Sequence, residues 1–226
     1  MISSRSLITS LFCSALFCSL AMAEDLAKYR DFQFGMSPES VAKQTHTNAL
    51  ALKTIHQRPA LIQTLQWDQS SYFDVKDRSL RSIRFDFYNG ELFKLVVTYD
   101  TARTDGLTTD DMIEAISAIY GQAAKPESTV SVSTFSLFED NQKVLASWEN
   151  AEYSYNLFRS PYGSAFGLIA LSKGVDHMAR DSAREADRLD KLEAPDKELA
   201  RQLKLEEDRR VAQEKARLIS KPNFRP

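Results

Sequence analysis

Apolar and polar residues alternate most strictly between Leu80 and Tyr99. Ile83, Phe85 and Phe87 share one face of an extended segment, with Arg84, Asp86 and Tyr88 on the other. Asn89-Gly90 follows, a pair that tolerates positive φ at both turn positions. Phe93, Leu95, Val97 and Tyr99 then continue on one face. The pattern predicts a β-hairpin within an antiparallel sheet that has one buried face.

Helical spacing occurs at two places before residue 175. Ser37 can cap a short helix that starts at Pro38 and runs to about Gln44. Thr108, with Asp111 three residues on, can cap a second. Met112, Ile113, Ile116, Ile119 and Tyr120 form its apolar stripe, and Gly121 ends it. Ala49 to Ile55 fits either strand or a continued helix, strand being preferred. Arg58-Pro59 reads as a turn and Leu61 to Trp67 as a strand. Further strands are predicted over Thr129–Phe138, Lys143–Glu149, Tyr153–Phe158 and Ala165–Ser172. Turns are expected at Glu139-Asp140-Asn141 and Ser160-Pro161-Tyr162-Gly163. The last strand is apolar on both faces, as a central strand should be.

After Gly174 the composition changes. From Asp176 to Pro226, 25 of 51 residues are charged, and Phe224 is the one aromatic. Arg180, Arg184 and Arg188 recur at helical spacing, with Asp181 and Glu185 beside them. Leu199, Leu203, Val211 and Leu218 form a thin stripe after Pro195. This predicts helix, a break at Pro195, then helix. Heptads do not persist long enough for a stable coiled coil.

The resulting expectation is an α+β domain over 24–175, an antiparallel sheet with two short helices, followed by a charged helical tail over 176–226. An internal repeat with units 30–100 and 101–175 would arrange it as two tandem αβ units. Gly35-Met36-Ser37-Pro38-Glu39-Ser40-Val41 and Gly106-Leu107-Thr108-Thr109-Asp110-Asp111-Met112 match in residue class at an offset of 71. Trp67-Asp68-Gln69 and Tyr72 match Trp148-Glu149-Asn150 and Tyr153 at an offset of 81. A loop difference of ten residues reconciles the two offsets. Coincidence is the competing explanation, since glycine, cap and acid mark any helix start.

The stretch from Gly35 to Val41, followed by a strand meander, resembles two groups of small exported domains. One is the β-lactamase-inhibitor-protein-like fold; the other is the small outer-membrane lipoprotein that accompanies the β-barrel assembly machinery. In that group a Gly-Met-Ser/Thr stretch opens the helix and a Gly-x-Pro-like stretch closes it. Here Gly121 and Pro126 are spaced more widely, and the first unit has no closing glycine. A lipid-anchoring cysteine is also missing. The resemblance spans at most 24–173, and it implies protein binding or assembly, with no catalytic residue to carry over.

Compartment is suggested by the N-terminus. Arg5, an apolar run from Leu7 to Leu20, and Ala21-Met22-Ala23 before Glu24-Asp25 have the order of a secretory leader cleaved after Ala23. The run is shorter than the ~20 residues of a spanning helix. Cys13 and Cys18 both lie inside it, so the exported chain would be free of cysteine and of disulfides. A periplasmic or secreted protein without a membrane span is expected. The formal charge of −2 becomes −3 without Arg5, which offers no basic surplus for nucleic acid.

No catalytic constellation, cofactor motif or metal motif is present. His46, His56 and His177 share no helix face, and the acids around Gly106 do not follow calcium-loop order. Gly163-Ser164-Ala165-Phe166-Gly167 places its serine one position early for a nucleophile elbow. Candidate partner-binding residues are Tyr88, on the polar face of its strand, and Phe158, opposite in facing to Tyr153 and Tyr155. Arg180, Arg184 and Arg188 join them from the tail. The expected function is non-catalytic: binding to a protein partner of the cell envelope, or envelope assembly. An envelope hydrolase or small-ligand binder is the alternative, and self-association through the tail a third.

Overall fold

A computed structural model describes residues 25–69, 79–125, 129–132, 141–160, 165–223 and 225. The leader, Tyr72, Pro126, the turn residues Glu139 and Asp140, the turn residues Pro161 to Gly163, and Phe224 lie outside them.

Local chemistry sets the helix starts. In α1 (Pro38–Gln44) the Ser37 hydroxyl accepts from the Ser40 amide, and Pro38 takes the first position, where no amide is needed. In α2 (Thr109–Tyr120) the capping box is complete: Asp111 N donates to Thr108 Oγ1 at 3.2 Å, and Thr108 N donates to Asp111 Oδ2 at 2.7 Å. Met112, Ile116 and Tyr120 are buried, whereas Ile119, expected on the apolar stripe, is exposed.

A short ladder pairs β1 (Lys28–Tyr29) with β2 (Phe32–Gln33). The main sheet contains β3 (Lys53–His56), β4 (Ile62–Asp68), β5 (Leu80–Tyr88), β6 (Glu91–Tyr99), β7 (Thr129–Ser131), β8 (Asn141–Glu149), β9 (Tyr153–Arg159) and β10 (Phe166–Ser172). Ala49–Ala51 is a 3-10 turn, so the ambiguous stretch before β3 is split between helix and strand. Asn89 and Gly90 close the β5–β6 hairpin with φ of 49° and 84°, the left-handed pair that matches strand twist. A register shift between Asp86 and Phe87 sets Phe87 opposite Leu92. Leu92 therefore joins Leu95, Val97 and Tyr99 in the main core cluster, while Phe93 is buried outside that cluster.

The strand order is β3-β4-β5-β6-β10-β9-β8-β7, with antiparallel pairing at every junction. Each helix thus precedes a four-stranded meander, and the meanders join through their last strands, β6 and β10. The matching sequence positions fall on corresponding places. Gly35 and Gly106 both have positive φ, 87° and 77°. Trp67 and Trp148 are each the penultimate residue of a second strand, β4 and β8. Trp148 is buried and donates its Nε1 to Gly121 O at 3.0 Å, while Trp67 is half-buried.

One face of the sheet packs on α1 and α2 through Val41, Ala42, Met112, Ile116 and Tyr120. The other face is covered by α3 (Lys173–Asn223), which leaves β10 without a loop. Asp176, Ala179, Ala183 and Ala186 form its buried side, and the small alanines let the helix approach the sheet closely. Past the compositional boundary near Gly174, α3 stays against the domain as far as Glu193, where Arg58 holds it at 2.5 Å. One expectation is corrected here: the helix runs unbroken through Pro195. Lys191 and the residues around Pro195 are exposed, so water can satisfy the carbonyl that the proline leaves without a donor. Lys197 spans the proline with ion pairs to Asp190 at 3.4 Å and Glu193 at 3.2 Å.

Candidate functional site

Strand register places Thr64, Asp86, Lys94, Leu171 and Ser154 in one row across the face beneath α3. Asp86 and Lys94 are fully buried. Such charges are stable only when paired and hydrogen-bonded. Asp86 accepts from Thr64 Oγ1 at 3.0 Å and from Arg84 Nε at 3.2 Å. Lys94 Nζ donates to Ser131 O at 3.0 Å and lies 3.7 Å from Asp176 Oδ1. Arg180 Nε completes the cluster by donating to Asp176 Oδ2 at 2.6 Å. Burial pushes the Lys94 ammonium down to about 8, although Asp176 and Asp86 oppose the shift. No buried side-chain nitrogen or oxygen among the described residues lacks a partner.

Beside this row, Val96, Phe158, Ile169 and Leu171 form a second apolar cluster capped by Val130 and Val132. The segment after β7 is held across the face by Arg84 Nη2, which donates to Val132 O at 2.5 Å. A groove of about 450 Å³ remains between β7, β9 and the start of α3, lined in part by Ser154, Asn156, Lys173, His177 and Arg180. Three of the side chains lining it have carboxylate partners. Lys173 pairs with Glu149 at 2.8 Å, His177 with Asp181 at 3.1 Å, and Arg180 with Asp176. No hydrogen bond among the described residues joins His177 to a serine or threonine of the groove. Among the described residues no group of three or more His, Cys, Asp or Glu could hold a metal ion.

The five candidate binding residues do not form one exposed surface. Phe158 is 6% exposed and belongs to the second cluster, so the open sheet face expected there is corrected. The Gly167 backbone opposite it leaves room for the ring. Tyr88 is half-buried under α3, its hydroxyl 3.2 Å from Ser182 Oγ. Arg180 is half-buried in the charge cluster. Arg184 and Arg188 are exposed but paired within the helix to Asp181 and Glu185. Alternation marked this face as polar but could not show that a helix covers it. Lys94 was missed, although a lysine between Phe93 and Leu95 in an apolar strand is the kind of signal that marks a buried charge.

Past Glu193 the picture reverses. Every residue from Ala194 to Asn223 is exposed, including Leu199, Leu203 and Leu218 at 58%, 59% and 68%. At 1.5 Å per residue this arm projects roughly 45 Å. Ion pairs along the helix, such as Arg201–Glu198 at 2.7 Å and Arg210–Glu207 at 2.8 Å, support it locally. No helix among the described residues is long and apolar enough to cross a membrane. No protein-family model matches the chain, and neither a curated protein nor a solved structure does.

Proposed function

We propose that this is an exported, non-catalytic binding or assembly protein of the cell envelope that presents the outer part of α3 to a protein partner. The observation that carries the reading is the free arm. A helix of this length, exposed all round with leucines on it, gains nothing from its own domain. The satisfied charge cluster beneath α3 is consistent with a fastening role and not with catalysis. The leader-like order of residues 1–23 supports export to the periplasm or beyond.

The test is capture from an envelope extract with the full chain and with a chain ending at Glu193, which keeps every α3 residue that packs on the sheet. A near-stoichiometric partner, lost on truncation, is expected. Background capture by both baits would overturn the reading. N-terminal sequencing of the protein recovered from the envelope tests cleavage after Ala23.

A further inference from the structure

The charges of the arm are segregated. Residues 194–208 hold five acids and three bases; residues 209–223 hold five bases and one acid. The groups without an ion pair within the chain divide the same way. Asp196, Glu206 and Asp208, with Lys204, are on one side of the change, and Arg209, Lys215, Arg217 and Lys221, with Glu214, on the other. The sign therefore reverses between Asp208 and Arg209, the midpoint of the exposed span 194–223.

Apolar heptads fail along the arm, and no apolar eleven-residue repeat replaces them, but positions eleven apart stay on one face of the helix. Asp196, Glu207 and Leu218 are eleven apart, as are Leu199, Arg210 and Lys221, and Leu203 and Glu214. At 100° per residue these eight positions fall within about 100° of one another on the helix surface. Turning the arm end for end about its midpoint carries the set onto itself. Leu199 then faces Leu218, Asp196 faces Lys221, Glu207 faces Arg210, and Leu203 faces the aliphatic stem of Glu214. The overlap stops at Ala194, one residue beyond Glu193, where α3 leaves its own domain, so the globular part of either copy lies outside it.

We infer that the arm pairs antiparallel with the arm of a second copy of this chain, in the register that sets Leu199 against Leu218 and Asp196 against Lys221. This rests on the reading of the arm as a contact surface and names the partner. Charge complementarity fixes the direction: a parallel pair would set acid on acid in one half and base on base in the other. Two leucine pairs, four charge pairs and two Leu203–Glu214 contacts make a seam weaker than a leucine-only one, and Glu207 and Arg210 already pair within each chain, so a Kd of roughly micromolar or weaker is expected.

The full chain, with Cys13 and Cys18 replaced by serine, is suited to disulfide mapping. Leu199→Cys and Leu218→Cys variants, oxidised as a mixture, are expected to give a cross-linked heterodimer. Either variant alone should stay uncross-linked, because like positions would lie roughly 28 Å apart at 1.5 Å per residue. Sedimentation equilibrium of the unsubstituted chain should show its mass doubling with concentration. Lys221→Glu should raise the dimer Kd about tenfold, and Asp196→Lys in the same chain should restore it.

A monomer at every concentration, self-cross-linking of each variant, or no rescue by the double substitution would overturn the pairing. A monomer that co-sediments with phosphatidylglycerol vesicles would overturn it too and assign the basic half to an anionic surface. Purified chain contains no other partner, so a monomer that still captures an envelope protein overturns the pairing and leaves the binding reading standing. A dimer that captures nothing does the reverse for a partner other than itself.

Discussion

Lys94 Nζ, fully buried on β6, lies 3.7 Å from Asp176 Oδ1 in the first turn of α3. The same ammonium donates to Ser131 O at 3.0 Å. One side chain thus ties β6, the edge strand β7 and the long helix together. Asp176 is shared with Arg180, and the neighbouring Asp86 with Arg84 and Thr64. The cluster fastens the first turns of α3 to the sheet.

Removing opposite ends of this pair should have unequal effects. Asp176→Ala removes the carboxylate 3.7 Å from the buried ammonium while Arg180 stays, and should cost about 3 kcal/mol. Lys94→Met leaves Asp176 with Arg180 and Asp86 with Arg84, so about 1 kcal/mol is expected. Urea unfolding of both variants checks the order. Equal losses would show that Lys94 does not depend on Asp176.

The buried lysine also predicts a pH slope. Its native value, about 8, lies below the ordinary 10.5, chiefly because burial disfavours the charged form. Between those values the unfolded chain binds a proton that the native protein lacks, so stability from this group rises with pH across the window. Below the window both states are protonated and the slope vanishes. Urea midpoints measured from neutral to alkaline pH should rise more for the unsubstituted protein than for Lys94→Met.

At Gly167 the limit is space, not backbone freedom. A Cβ there would lie 2.3 Å from Phe158 Cζ. Gly167→Ala should therefore lower stability by about 1–3 kcal/mol through overpacking. Phe158→Leu should relieve the clash, so the double variant loses less than the sum of the two single changes. Additive losses would place the cost of Gly167→Ala elsewhere.

Pro195 lies within the helix, just past the last contact with the domain. Pro195→Ala restores an amide donor and removes the ring's clash with the preceding turn. Hydrogen exchange in the arm's first turns should slow by about tenfold or more, given a helix penalty for proline of about 3 kcal/mol. The Tm of the domain should not move, because no residue of the arm is buried.

Much of the secondary structure was legible in the sequence because its causes are local. Ser37 and Thr108 cap helices with their own side chains, and Asn89-Gly90 supplies the two positive φ values the hairpin needs. The alternation in β5 assigned Phe85 and Phe87 to the core and Arg84, Asp86 and Tyr88 to the opposite face. Even the correspondence of Gly35 with Gly106 and of Trp67 with Trp148 could be read before the topology placed each pair at equivalent points.

What only the tertiary structure decided is where distant elements meet. A period of two tells which side a residue faces but not what lies there. Phe158 and Tyr88 were therefore expected on an open face, and α3 covers Tyr88 while Val130 and Val132 cover the cluster around Phe158. The pairing of β6 with β10 joins segments some seventy residues apart, and that pairing brings Lys94 beneath Asp176. Pro195 shows the same division: its local preference is to end a helix, yet water and the ion pairs of Lys197 supply enough to carry α3 past it. Local preferences amount to about a kilocalorie per residue and act within a turn or two. Long-range burial and charge pairing decide between the surfaces those preferences leave open.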